Sequence, residues 1–412
     1  MRADRASSVA APAPKSVTRV ARAVLGVGLA LMAFSAALAE DHPALPDNPL
    51  LGRLLFESKR CNQCHGIAGL SLGVAPSLGE GRFRGSFLDL GAALWNHVPG
   101  MRERFEGSEL AWPQMTAVEA LELTSFLYYL DYLGRPGDAG RGANLFKAKA
   151  CGACHEVGGK GSGRAGPDLA ELKRFASPLF VAQAIWNHGP KMLETLQHSK
   201  IKPPTFQEGD LADLSAFIRQ AAQAGPQEHI LIAPGNPNAG RALFAAKGCA
   251  SCHPVRGVGG GSGPDLAHTS LHRPAEAIAD AMWNHAFAMA PRMEQAGIGW
   301  PHLTTPELAD LIAYLYFIPF SDPPGDASRG AEVFATRSCA TCHAGGNEAA
   351  HHGPALAGSP AANSPEALVA AMWNHAPVMK EAILGEGRPW PELTGAELRD
   401  LLAYLRSRST AR

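Results

Sequence analysis

The apolar residues of this chain recur with the period of a helix. In the segment TTPELADLIAYL, which begins at Thr304, residues Leu308, Leu311, Ile312 and Leu315 fall on one face. A threonine followed three residues later by a glutamate is typical of a capping box, which starts a helix. The segment TGAELRDLLAYL near the carboxyl end has the same pattern. No segment alternates convincingly between apolar and polar residues, so we predict an all-α fold.

Shorter amphipathic patterns precede four cysteine pairs. Each contains a phenylalanine five residues before the first cysteine, and a glycine next to an arginine. We expect each pattern to form a short helix that leads into a cysteine-containing turn. The phenylalanines are Phe56, Phe146, Phe244 and Phe334, and the glycines are Gly52, Gly142, Gly240 and Gly330.

The pattern repeats along the chain with a regular period. The first cysteines of the pairs are Cys61, Cys151, Cys249 and Cys339, at intervals of 90, 98 and 90 residues. A period of this size indicates a repeated domain. We therefore predict four tandem domains after an N-terminal segment of residues 1–39, with the ranges 40–135, 136–225, 226–322 and 323–412.

The longer middle interval indicates a linker. Seven additional residues fall between about Arg219 and Ala239, in a stretch rich in alanine, glycine and proline. The other two joins between domains, GRPGDAGRG and DPPGDASRG, are shorter and alike. We expect a flexible linker at residues 219–239 that divides the protein into two halves, each made of two consecutive domains.

The N-terminal segment has the pattern of an export signal. A basic start is followed by an uncharged, mostly apolar stretch, Ala23–Ala36, and then by Ala37-Leu38-Ala39, which is typical of a cleavage site. An uncleaved membrane anchor is the alternative, but the uncharged run is short for a span of about 20 residues. We expect a cleaved signal and a soluble mature protein in the periplasm.

Charge and cysteine content narrow the possible functions. The formal net charge is -1 at pH 7, so the chain shows no excess of basic residues and nucleic acid is not an expected partner. All eight cysteines lie in the motifs CNQCH, CGACH, CASCH and CATCH. No other cysteine is left to form a disulfide with them.

The Cys-x-x-Cys-His motif has two chemical interpretations. Zinc requires four nitrogen or sulfur ligands, but no repeat has a second cysteine pair, and an adjacent histidine cannot readily join both cysteines on one metal. In the other interpretation, the two thiols bind covalently to a haem and the histidine binds its iron. Four copies in register after an export signal favour haem.

With these motifs, the chain resembles the class I c-type cytochromes, repeated four times. The order of opening helix, Cys-x-x-Cys-His, Gly-Pro-x-Leu loop and closing helix is similar to that family over nearly the whole mature chain. The resemblance implies four haem c groups attached through Cys61, Cys64, Cys151, Cys154, Cys249, Cys252, Cys339 and Cys342. It implies the iron ligands His65, His155, His253 and His343, whose Nδ1–H groups would donate to the carbonyls of Pro76, Pro167, Pro264 and Pro354.

The second iron ligand has two candidates in each repeat. A Trp-Asn-His triplet supplies His97, His188, His285 and His375, and a methionine four residues later supplies Met101, Met192, Met289 and Met379. We favour the methionines, although the family usually places its methionine nearer the last helix, where Met115 lies in repeat one. Met293 is a further candidate in repeat three, but Met289 has the spacing of the other repeats, eleven residues before Trp300.

The tryptophans lie in repeated motifs, whereas the remaining histidines do not repeat. All seven tryptophans lie in Trp-Asn-His or Trp-Pro motifs, and we expect them to pack beside the haem, with an indole N–H available to a propionate, or simply to fill the core. We expect the other histidines to be solvated: His198, His229, His268, His272, His302, His351 and His352.

The expected function is electron transfer along four haems between redox partner proteins. A membrane-bound oxidoreductase could be such a partner, and the chain could be the cytochrome subunit of a larger oxidoreductase. Two protein ligands leave no iron position for a substrate. The alternative is a haem enzyme, either peroxidase-like or sulfur-oxidising, in which one haem is catalytic. That alternative requires one repeat to depart from the others, and no repeat loses both candidate ligands.

Overall fold

The computed structural model describes residues 45–67, 75–79, 83–160, 165–175, 177–223, 234–343 and 353–409. The predicted export signal, the centre of the predicted linker, His229, His351 and His352 lie outside the described residues. Residues Pro43–Arg412 form one compact unit. None of the helices in the described ranges is long and apolar enough to cross a membrane.

Each domain contains three main helices, called the opening, middle and closing helix. The opening helices are Leu51–Ser58, Ala139–Ala148, Pro237–Ala246 and Ala327–Thr336. The middle helices are Phe87–Glu106, Pro178–His198, Ala275–Gln295 and Pro365–Gly385. The closing helices are Ala117–Tyr129, Asp210–Ala221, Thr305–Phe317 and Gly395–Ser409.

Short helical turns complete each domain. The cysteine motifs form Cys61–Gln63, Cys151–Ala153, Cys249–Ser251 and Cys339–His343, and further 3-10 turns are Leu169–Phe175, Leu266–His268 and Pro360–Ala362. Extended pairing in the described ranges is limited to isolated bridges. The all-α prediction is therefore confirmed for the part of the chain that the structure describes.

The helix-start prediction at Thr304 is also confirmed. The Thr304 hydroxyl accepts a hydrogen bond from the backbone N–H of Glu307, and the Glu307 carboxylate accepts one from the backbone N–H of Thr304. The same reciprocal cap starts the closing helix of domain 1 and the middle helix of domain 1. All four apolar residues of the predicted face, Leu308 to Leu315, are buried. The closing helix thus presents this face to the core of its domain.

The opening and closing helices of every domain cross at the glycine of the sequence pattern. A Cβ at Gly142 would lie 2.0 Å from the carbonyl oxygen of Asp213, and one at Gly240 would lie 1.9 Å from that of Asp310. Only glycine allows the two backbones this close. One turn later, the repeated phenylalanine packs on an aromatic residue of the closing helix, as Phe56 does on Phe126 with ring centroids 6.0 Å apart. This contact sets the position of the cysteine turn that follows.

The domains pack against each other in two pairs through their middle helices. The middle helix of domain 1 contacts that of domain 4, and the middle helix of domain 2 contacts that of domain 3. In both pairs, the closing helix of each domain also contacts the middle helix of its partner. The expected division into one half of domains 1 and 2 and another of domains 3 and 4 is therefore wrong, because the middle helices join domain 1 with 4 and domain 2 with 3.

Domains 1 and 3 also share a contact, formed by buried aromatic residues. The hydroxyl of Tyr128 donates to the carbonyl of Tyr316 at 3.3 Å, and the hydroxyl of Tyr316 donates to the carbonyl of Tyr128. His272 is half-buried against both tyrosine rings, with its Nε2 3.0 Å from the Tyr316 hydroxyl. The expectation that His272 is simply solvated is wrong, because its ring is part of this interface.

A buried carboxyl group lies between domains 2 and 3. Asp280, on the middle helix of domain 3, is 2% exposed and accepts a hydrogen bond from the backbone N–H of Gly209, at the start of the closing helix of domain 2. Its other oxygen is buried without a hydrogen-bond partner. Burial, helped by the nearby carboxyls of Asp210 and Glu276, raises the pKa of Asp280 to about 8, although the hydrogen bond from Gly209 lowers it. The folded protein therefore favours the protonated form of Asp280 near neutral pH.

We predict that this group makes the protein less stable as the pH rises. An unfolded aspartate has a pKa of about 3.9, so between about pH 4 and pH 8 the folded state binds the additional proton and loses stability with increasing pH. Asp280→Asn, which cannot ionise, should raise the free energy of unfolding at pH 8 by an amount on the order of 2 kcal/mol. Thermal unfolding at several pH values should show this advantage vanish towards about pH 4. An effect independent of pH would contradict the prediction.

Limited proteolysis tests the domain pairing together with the predicted linker. We still expect cleavage between about Arg219 and Ala239, in the longest join between domains. The two fragments should then stay together in gel filtration without denaturant, because domain 1 contacts domain 4 and domain 2 contacts domain 3. Cleavage first at Gly134 or Asp322, or separation of the fragments after cleavage in the linker, would contradict this arrangement.

Candidate functional site

The cysteine motif of each domain forms a tight turn at the end of the opening helix. The residue before each first cysteine has a positive φ, which turns the chain sharply. The backbone N–H of His253 then donates to the carbonyl of Cys249 at 2.9 Å, and the turns of domains 1 and 2 repeat this bond. The residues with positive φ are Arg60, Ala150, Gly248 and Ser338. Sequence patterns did not identify them, because only one of the four is a glycine.

The thiols of the first cysteines are largely buried. Burial raises the pKa of Cys61 and of Cys151 to about 11, and it also raises the pKa of Cys249 and Cys339 above the ordinary value. All eight cysteines are free thiols. In the described ranges, no three or more His, Cys, Asp or Glu side chains come together in a way that could hold a metal ion. The first thiol of each pair therefore lies in surroundings of low polarity, which suit attachment to an apolar ring.

A backbone carbonyl fixes the histidine of each motif. The Nδ1 atoms of His65 and His343 lie 2.9 Å from the carbonyl oxygens of Pro76 and Pro354. The corresponding distances are 3.0 Å for His155 to Pro167 and 3.1 Å for His253 to Pro264. The predicted hydrogen bond is thus confirmed in all four domains. Because a carbonyl can only accept, Nδ1 carries the proton and Nε2 is left free to bind a metal.

The glycine before this proline lets the loop pass close to the imidazole. A Cβ at Gly166, Gly263 or Gly353 would lie 2.4 to 2.6 Å from the ring of the motif histidine. The loop therefore packs directly on one face of the ring and limits its rotation. Domain 1 has Ala75 at this position and keeps the same hydrogen bond, from His65 to Pro76.

Domains 3 and 4 contain apolar cavities beside their cysteine motifs. The cavity of domain 3 has a volume of about 330 Å³ and is lined by both cysteines and the histidine of its motif. The cavity of domain 4 has a volume of about 780 Å³ and is lined in the same way. These volumes fall in the range of roughly 300 to 1,000 Å³ that is usual for cofactor sites. Two thiols, a free imidazole nitrogen and an apolar cavity fit a covalently attached haem.

Both candidate distal ligands reach these cavities. His285, Met289 and Met293 line the cavity of domain 3, and His375 and Met379 line that of domain 4. Because the methionine follows the histidine by four residues, both lie on the same face of the middle helix. The histidine ring of His285 lies 5.9 Å from the ring of His253, measured between centroids. The cavity walls alone therefore leave both candidates available.

Burial and hydrogen bonding distinguish the two candidates. In all four domains, the histidine of Trp-Asn-His is exposed, whereas the methionine is half-buried and packed against the core. His97 and His188 place Nδ1 2.7 and 2.9 Å from the carbonyl four residues earlier in their helix. His198, outside any motif, makes the same bond at 2.7 Å. This bond is therefore an ordinary feature of a histidine in a helix. It gives no reason to prefer the Trp-Asn-His histidine as the iron ligand.

The tryptophans hold paired domains together. Each of the seven indole N–H groups donates to a backbone carbonyl of the partner domain, at distances of 2.7 to 3.2 Å. Trp95 stacks on Trp390 with ring centroids 4.2 Å apart, and Trp112 stacks on Trp373 at 4.4 Å. The expectation that an indole N–H is available to a haem propionate is wrong, because every indole N–H is already bonded to the partner domain.

The asparagine of each Trp-Asn-His triplet has the same role. The side-chain amide of Asn96 donates to the carbonyl of Leu393 at 2.8 Å and accepts from its backbone N–H at 2.9 Å. Asn374 makes the reciprocal pair with Met115, at 2.7 and 2.8 Å. Asn187 and Asn284 bind Leu303 and Phe206 in the same way. Met115 is thus a buried interface residue.

A proline in the middle helix makes one of these bonds possible. Proline has no backbone N–H, so Pro99, Pro190 and Pro377 leave free the carbonyl four residues earlier, which belongs to Trp95, Trp186 and Trp373 respectively. Each freed carbonyl accepts a hydrogen bond from the indole N–H of the Trp-Pro motif in the partner domain. Trp390 donates to Trp95 at 3.2 Å, Trp300 to Trp186 at 3.0 Å and Trp112 to Trp373 at 3.0 Å.

Domain 3 lacks the proline that frees this carbonyl, and that difference identifies its partner domain. Domain 3 has Phe287 in place of the proline, so an N–H is present that an α-helix directs to the carbonyl of Trp283. Its partner, domain 2, has Pro203 in place of the Trp-Pro tryptophan, so it has no indole to donate. Domain 3 thus lacks a free carbonyl and domain 2 lacks the indole that would bind it, and these two absences match only if domain 2 pairs with domain 3. This signal was present in the sequence, but repeat alignment alone did not reveal it.

Comparison with known proteins identifies the domains. The family model described as Cytochrome c matches three times, at residues 139–222, 237–316 and 327–409. These matches cover domains 2, 3 and 4, and domain 1 is not among them. No curated protein and no solved structure matches the chain.

Proposed function

The chain belongs to the cytochrome c family, and from that membership we propose that it is a tetrahaem electron-transfer protein. Cytochrome c domains carry out haem-based electron transfer, because the bound iron changes between its ferric and ferrous states. Three domains are shown by the family match. The number of haems, the export to the periplasm and the transfer between redox partner proteins are proposals.

The observation that carries the proposal is the repeated histidine–proline bond. It occurs in all four domains, including domain 1, with Nδ1 to oxygen distances of 2.9 to 3.1 Å. In each domain it orients Nε2 of the histidine that follows the paired thiols. Domain 1 also has the opening and closing helices and the cysteine turn of the other domains. We therefore assign a fourth haem to domain 1.

The methionines support a carrier rather than an enzyme. We propose Met101, Met192, Met289 and Met379 as the second iron ligands, because they are half-buried on the core side in every domain. A histidine and a methionine together leave the iron no position for a substrate. Methionine as the second ligand also raises the reduction potential. These side chains would hold a haem and keep water from its iron, which would suit exchange of electrons alone.

Mass spectrometry tests the number of haems. The mature protein should carry four covalent haems, because each of the four cysteine pairs is followed by a histidine bonded to a proline carbonyl. Two or fewer in fully matured protein would contradict the proposal. A mass that also lacks residues 1–39 would support export with cleavage of the signal.

A pair of variants tests the distal ligand. Met289→Ala should open one iron while the other three keep two protein ligands, so about one quarter of the far-red absorbance of ferric Met–His haem should disappear. Carbon monoxide should then bind one iron, and the potential of one haem should fall. Met293→Ala is the matched control, because Met293 lines the same cavity and should cause only a modest loss of packing.

Two results would contradict the distal assignment. If His285→Ala opens the iron and Met289→Ala does not, the ligand is the histidine, and the potentials should be lower. If the unmodified protein already binds carbon monoxide at one haem, that haem has an open position and the enzyme interpretation gains support.

A further inference from the structure

Each of the two described haem cavities has one wall residue that belongs to another domain. In domain 3 this residue is Trp186 of domain 2, and in domain 4 it is Trp95 of domain 1. The other residues that line these two cavities belong to the domain that carries the cysteine motif. Both foreign residues are the tryptophan of a Trp-Asn-His triplet.

These two tryptophans are held firmly at the cavity edge. The indole N–H of Trp186 donates to the carbonyl of Pro301 at 2.9 Å, and Pro301 lines the same cavity. Trp95 donates in the same way to Pro391 at 2.7 Å, and Pro391 lines the cavity of domain 4. Trp186 is 6% exposed and Trp95 is 5% exposed. Each ring is therefore fixed by the domain whose cavity it enters.

Contact with the partner domain does not by itself place a tryptophan at this cavity. Trp283 lies in the same interface as Trp186, is 3% exposed and donates to the carbonyl of Pro204 at 2.8 Å. Trp283 is nevertheless absent from the walls of the domain 3 cavity. The two tryptophans thus have matching interface bonds, but only Trp186 faces the haem site of domain 3.

We propose that each haem pocket is completed by a tryptophan from the domain paired with it, so that domains 1 and 4, and domains 2 and 3, form shared haem sites. This inference rests on the proposed haem function. A buried indole at the cavity edge excludes water from the haem and lowers the local polarity, which tunes its potential. The pseudo-symmetry of the pairs extends the assignment to Trp283 for domain 2 and Trp373 for domain 1.

Haem-methyl NMR of the ferric full-length mature protein tests the proposal. Each haem gives its own set of shifted methyl resonances, and Met293→Leu identifies the set of domain 3, because Met293 lines only that cavity among those described. Trp186→Phe should shift the same set as Met293→Leu. Trp283→Phe, the matched control in the same interface, should shift a different set.

Two outcomes would overturn the proposal. If Trp186→Phe lowers the unfolding temperature without shifting the domain 3 set, the indole only packs between domains. If Trp186→Phe and Trp283→Phe shift the same set, the two tryptophans do not line different pockets, Trp186 that of domain 3 and Trp283 that of domain 2. A protein without haem would show no such resonances at all, which would overturn the proposed function instead.

The other domain pair provides an independent test if Trp186→Phe does not fold. Trp95→Phe should shift the same set of resonances as Ile383→Val, because both residues line the cavity of domain 4. Trp373→Phe is the matched control, since its indole donates across the same interface to Pro113 at 2.7 Å. A Trp95→Phe shift in any other set would overturn the proposal.

Discussion

The structure depends on one backbone carbonyl that a proline leaves without its helical partner. In three middle helices, this carbonyl belongs to the tryptophan of Trp-Asn-His, and an indole from another domain occupies it. Leaving a buried carbonyl without a hydrogen bond would reduce the stability of the fold by about 1 to 3 kcal/mol, so a donor at this position is strongly favoured. The Trp-Pro tryptophan of the partner domain donates that hydrogen bond, and the same alignment brings the tryptophan rings and the asparagine bonds together.

Domain pairing completes the cavities beside the cysteine motifs as well as packing the helices. A domain of about 90 residues buries little apolar surface alone, and the cavities of domains 3 and 4 each include one wall residue from another domain. The partner supplies that wall through Trp95 or Trp186, while the domain itself supplies the thiols, the histidine and the methionine. The cavity of domain 3 therefore borders domain 2, and the cavity of domain 4 borders domain 1.

Much of each domain could be predicted from the sequence, because the decisive patterns are local. The cap at Thr304, the glycines where helices cross and the bond from His253 to Pro264 all depend on residues close in the chain or repeated in register. Pairing could not be predicted in this way, because repeated motifs fit every combination of domains equally well. Only Phe287 and Pro203, where the repeats differ, distinguish the combinations. The choice between methionine and histidine also stayed open, since four residues of helix put both on one face.

Zero-length cross-linking with a carbodiimide tests the central claim, the pairing of domain 1 with domain 4 and of domain 2 with domain 3, most directly at the first pair. Lys380 of domain 4 lies with its Nζ 3.9 Å from a carboxylate oxygen of Glu106 in domain 1. Mass spectrometry of the cross-linked mature protein should recover an amide bond between these two residues, and Lys380→Gln should abolish it. Cross-links that join only consecutive domains, with none between domains 1 and 4, would contradict the pairing.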